Sequence, residues 1–142
     1  MIMPHTGVID ESLQGQEELL MRARLHARGS ISRFSEGMKE DAIAAMYDAL
    51  SSAMQRYAIQ GTTDQTLDIY EGEDLSSDET LFKVLLRSGI FDVTTSEEDF
   101  DIIVQILDDA LENKLESFDE TSFLDLSCSL LHQLDVFPFD EF

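Results

Sequence analysis

Proline occurs at two positions only, Pro4 and Pro138, one near each end of the 142-residue chain. Inside a helix it removes a backbone hydrogen bond and clashes with the preceding turn, at a cost of about 3 kcal/mol or more. An interior without it permits long helices, and apolar residues recur there by threes and fours, with no convincing alternating run. The expectation is an all-α fold, an antiparallel bundle of about five helices in one domain over residues 1–142. Residues 1–9 are expected to be a flexible tail and residues 61–76 a long loop. With 43% apolar residues, a chain of this length needs neither metal nor disulfide to close a core.

Leu13, Leu20, Ala23, Ala27, Ile31 and Phe34 predict a first helix over 11–36, capped by Asp10 or Ser12 and stopped at Gly37. Gly29 is a point at which it can kink. Ile43, Met46, Tyr47, Leu50, Met54 and Tyr57 share one face of a second helix over 38–60, which Gly61-Thr62-Thr63 should end. Ala42, Ala44, Ala45, Ala49 and Ala53 flank that face, and the short turn at Gly37 makes the pair an antiparallel hairpin. Ser76 with Glu79, and Thr95 with Glu98, read as capping boxes for helices over 77–88 and 96–117. Gly89-Ile90 reads as a Schellman ending. A last helix over 120–135 follows Asp119, buries Phe123, Ser127, Leu130, Leu131 and Leu134, and is closed by Pro138.

Charge divides the chain. The net charge is −21, yet residues 1–60 hold six Lys+Arg against eight Asp+Glu, and residues 61–142 hold three against twenty-two. The halves carry −2 and −19. Nucleic acid and anionic membranes both demand clustered cations, so the second half is excluded as a surface for either. The first half keeps a cationic strip of Arg22, Arg24, His26, Arg28 and Arg33, the candidate site for an anionic small ligand. The competing reading of the strip is a solvated face complemented by acids of the fourth helix.

No catalytic set is evident. The sequence has no phosphate loop, dinucleotide fingerprint, nucleophile elbow or His-Glu-x-x-His, and no cofactor or metal is expected. Asp101, Asp108 and Glu112 fall on one line of the fourth helix, opposite Phe100, Ile103 and Leu107, and so read as solvent-facing. His132, among core positions, reads as a partly buried structural histidine, and Cys128 as a small apolar group on a helix. Met1–Asp10 has neither a basic start nor an apolar run, and no stretch is long enough to span a bilayer, so a soluble cytoplasmic protein is expected.

Residues 37–58 carry a further signal. A long helix ends at a Gly-polar turn, followed by Asp41-Ala42-Ile43 and then Met46-Tyr47-Asp48-Ala49. This resembles the second helix of HEPN-domain proteins, and the order of the later helices fits that family. The resemblance implies a HEPN-like bundle that pairs as a homodimer in a prokaryotic cytoplasm, with a nucleotidyltransferase-like protein partner or a nucleotide-related role. Ribonuclease members carry an Arg and a His a few residues apart late in the chain. Here His132 has no Arg near it, and Arg22 with His26 is spaced too closely and lies on the first helix. The implied function is therefore a non-catalytic binding or interaction module. The alternatives are a HEPN-type ribonuclease with a divergent site using His26 or His132, and an acidic structural partner protein that covers a basic surface.

Overall fold

A computed structural model of the chain describes residues 15–64, 66–115 and 118–136, with the backbone alone for 60–64. The flexible tail expected at 1–9, the caps expected at Asp10 and Ser12, and Pro138 lie outside the described residues. Five helices follow in order: α1 Gln16–Ser35, α2 Lys39–Asp64, α3 Asp78–Arg87, α4 Glu97–Leu111 and α5 Glu120–Gln133. No strand occurs among the described residues, and the expected all-α bundle of five helices is observed.

The α1–α2 hairpin is built on small side chains. Ala23 and Ala27 of α1 and Ala42, Ala49 and Ala53 of α2 are all fully buried, which lets the two backbones lie close. The Ser30 hydroxyl, also fully buried, donates to the Ala42 carbonyl at 2.6 Å and pins the two helices together. Gly37 reverses the chain at φ 79°, with the Met38 N–H bonded to the Arg33 carbonyl and the Gly37 N–H to that of Phe34, a Schellman ending. Gly29 produces no break. A Cβ there would lie 2.6 Å from the Arg33 guanidinium, so the glycine makes room for that side chain. Ile31, expected on the apolar face, is 40% exposed, and Ser30 takes the inward position beside it.

Of the five helices, α2 alone packs on all the others. Ile43, Met46, Leu50 and Met54 are buried along it, with Tyr47 and Tyr57 half-buried. It runs past Gly61-Thr62-Thr63 to Asp64, contrary to expectation. A single helical glycine costs only about 1 kcal/mol, which neighbouring turns can offset. The Tyr47 hydroxyl and Ser51 Oγ donate to the two Asp78 oxygens at 2.9 and 3.0 Å, tying the start of α3 to α2. Burial, and then Asp78, raises the Tyr47 phenol well above its usual range.

The stretch expected as a loop over 61–76 is helical as far as Asp64, and Arg87 ties down its Asp68, Tyr70 and Glu73. That guanidinium makes a two-pronged bond to Glu73 at 2.8 and 2.7 Å, donates to the Asp68 carbonyl at 2.7 Å and lies 3.6 Å over the Tyr70 ring. Arg87 and the Tyr70 N–H hold the Glu73 carboxyl down at about 2.

Three further helix boundaries differ from the sequence reading. The cap of α3 is Ser77, whose Oγ accepts from the Thr80 N–H at 3.4 Å, while Ser76 bonds Asp74 instead. The α4 cap is Ser96 paired with Asp99, one residue later than Thr95 with Glu98. That helix stops at Leu111, not 117, because Asn113 takes φ 56° and the Lys114 N–H closes on the Asp109 carbonyl at 2.7 Å. Asparagine is one of the few residues that adopts this left-handed turn cheaply. By contrast the Gly89-Ile90 ending forms as expected, with the Ile90 N–H on the Leu85 carbonyl. So does the Asp119 cap, whose carboxylate accepts from the Ser122 N–H at 3.2 Å and its hydroxyl at 2.8 Å.

Two aromatic groups fill the core of the second half. Phe82 lies 4.9 Å from both Phe91 and Phe100, joining α3 to α4. Phe34 of α1 lies 6.0 Å from both Phe118 and Phe123, rooting the start of α5 on the hairpin. The far end of α5 is reversed by Asp135 at φ 61° and clamped by cations. Arg24 donates to the Val136 carbonyl at 3.2 Å, and Arg56 to that of Leu134 at 3.3 Å, where the helix dipole favours positive charge.

Candidate functional site

The cationic strip does not converge on one point. Arg22 pairs with Glu18 at 2.9 Å on its own helix, and Arg24 reaches the end of α5 rather than the acids of α4. His26 and Arg28 are half-buried, and exposed Arg33 folds back over Gly29. Arg22, Arg24 and Arg33 thus divide between an intrahelical pair, a structural clamp and a side chain lying along its own helix.

The other sequence candidates are also placed. Asp101, Asp108 and Glu112 face solvent as expected. Among the described residues, no group of three or more His, Cys, Asp or Glu side chains is arranged to hold a metal ion. His132 is exposed, not partly buried: it sits in the last turn of α5, between inward-facing Leu131 and half-buried Gln133. Cys128 is half-buried, and burial followed by Asp125 raises its thiol above the usual range, which disfavours the nucleophilic thiolate. No helix of the described residues is long and apolar enough to cross a membrane.

One surface feature was not singled out from the sequence. It is a groove between α4 and α5 of about 390 Å³, open on its outer side. Ile102, Ile106 and Asp109, at i, i+4 and i+7 of α4, form one wall. Ser122, Leu126 and the buried Phe123 of α5 line the other side, and Lys114, Leu115, Phe118 and Asp119, between the two helices, complete the lining. The early stop at Asn113 makes this shape, because it turns the chain back before α5 begins.

The wall residues come from a second apolar stripe on α4. Phe100, Ile103 and Ala110 are buried against the bundle, while Ile102 is 49% exposed beside them. A helix packed on one side needs only one stripe, so Ile102 and Ile106 next to Ile103 and Leu107 were the sequence signal for this surface. The polar groups at the groove are already engaged. Asp109 accepts from Gln105 at 2.9 Å, Lys114 pairs with Glu112 at 3.1 Å, and Asp119 caps α5. Those Ser122 bonds hold the Asp119 carboxyl below its usual range, so it is ionised at neutral pH.

No protein-family model, curated protein or solved structure matches the chain.

Proposed function

We propose that this protein is a non-catalytic helical interaction module, of the HEPN-like kind its second helix resembles, which engages a protein partner through its acidic second half. The observation that carries the reading is the α4–α5 groove. Its lining is dominated by Ile102, Ile106, Leu115, Phe118, Phe123 and Leu126, and its polar groups serve helix ends and local pairs. Apolar recesses with a polar rim are what protein interfaces use as anchor sites. Acid–base catalysis needs a group within hydrogen-bond reach of a reacting atom, and His26 and His132 both lie outside this lining.

The resemblance adds a homodimer and a cytoplasmic setting to the proposal. Light scattering of the purified chain at tens of micromolar is expected to give the mass of two chains; a monomer throughout would remove the dimer. Incubation with a mixed RNA pool, at low and high salt, is expected to leave the RNA intact. Cleavage that disappears on His26→Ala or His132→Ala would replace the module by a ribonuclease.

A further inference from the structure

We infer that the α4–α5 groove takes the apolar face of a basic amphipathic helix from a different protein. The inference rests on the interaction-module reading and names the partner's chemistry. Ile102 to Asp109 spans about 10 Å of α4 at 1.5 Å per residue. A docked helix presents apolar anchors at i, i+4 and i+7 over the same distance. The groove thus matches two turns of a partner helix, and its open side leaves that helix's polar face in water.

Charge selects the sign of the partner. Asp109 and Asp119 lie in the groove, and exposed Asp125 stands one turn from Ser122. Lys114, the one cation among the described lining residues, is compensated by Glu112. Lys and Arg flanking the anchors would meet carboxylates on both walls, whereas acidic flanks would be repelled. A second copy of this chain fits poorly, because a two-fold interface sets each patch against itself. The Asp109 and Asp119 carboxylates of both copies would then share one interface, four negative charges offset by the two Lys114 side chains.

The test is calorimetric titration of the full chain with three synthetic helical peptides, each about four turns long. One has Leu at i, i+4 and i+7 with Lys and Arg elsewhere, the second replaces those cations with Glu, and the third scrambles the basic peptide so that no apolar face remains. The basic amphipathic peptide is expected to bind one to one, about tenfold or more tighter than either control, and to weaken as salt rises. Ile102→Glu and Asp109→Lys should each weaken it by about tenfold while leaving the circular dichroism unchanged, since both side chains lie outside the buried core. Equal binding of the scrambled peptide would overturn the inference by showing diffuse attraction. Equal binding of the Glu peptide, still lost on Ile102→Glu, would overturn the basic partner and leave the interaction module standing. A dimer that Ile102→Glu converts to monomer would assign the groove to a second copy and overturn it too. RNA cleavage, by contrast, strikes the module reading itself.

Discussion

Ser30 and Ser127 are both fully buried serines on helices, and they should respond to removal of the hydroxyl with opposite signs. Ser30 Oγ donates to the Ala42 carbonyl at 2.6 Å, while Ser127 Oγ has no hydrogen-bond partner among the described residues. An unpaired buried hydroxyl costs about 1–3 kcal/mol, the desolvation it never recovers. Ser127→Ala removes that cost and adds a few tenths of a kcal/mol, roughly, in helix propensity. The space left by one oxygen, about 15 Å³, costs only about 0.4 kcal/mol at the usual rate per unit of cavity. The net expectation is a gain of about 1–3 kcal/mol for Ser127→Ala. Ser30→Ala should lose about 0.5–1.5 kcal/mol, the net worth of its bond. Urea unfolding followed by circular dichroism reads both, as midpoints moving in opposite directions at constant slope. If Ser127→Ala destabilises the chain as Ser30→Ala does, the Ser127 hydroxyl has a partner and the reasoning fails.

Two further outcomes follow from the loop and the hairpin. Glu73 is held below its ordinary carboxylate value by Arg87, so its contribution is fully present above the unfolded value near 4.5 and is lost as pH falls through about 2. Protection of the Asp68, Tyr70 and Glu73 amides, taken relative to their intrinsic exchange rates, should therefore fall over that window, and Glu73→Gln should show the lower protection already at pH 7. Gly37→Ala should cost roughly 1–2 kcal/mol in urea unfolding from backbone strain alone, because φ is 79° and a Cβ there meets nothing within 4 Å.

Proline placement and helical periodicity made the five helices, the hairpin and the inward position of Ser127 legible from the sequence. Boundaries were harder where like residues adjoin. Ser76-Ser77 before Asp78-Glu79-Thr80, and Thr95-Ser96 before Glu97-Glu98-Asp99, each offer two caps one residue apart, and tertiary bonds favour the later one, Tyr47 holding Asp78 in the first turn of α3 and Gln133 engaging Thr95. Arg87 was invisible as an organiser of the loop because its partners lie 14 to 19 positions earlier. The groove was hidden for a related reason: Ile102 and Leu126 sit on different helices, and only the turn at Asn113 sets them face to face. On α1, close packing along the alanines fixed the helix rotation, which put Ser30 inside and left Ile31 at the surface.

If the second half meets a partner, the α4–α5 groove is the surface that does so. Amide chemical shifts of the labelled chain, followed during titration with the basic amphipathic peptide, test it directly. Perturbations are expected to gather at residues 102–109 and 118–126 and to be lost in Ile102→Glu. Perturbations centred on Arg22, Arg28 and Arg33 of α1, or spread evenly over every acidic surface, would contradict it.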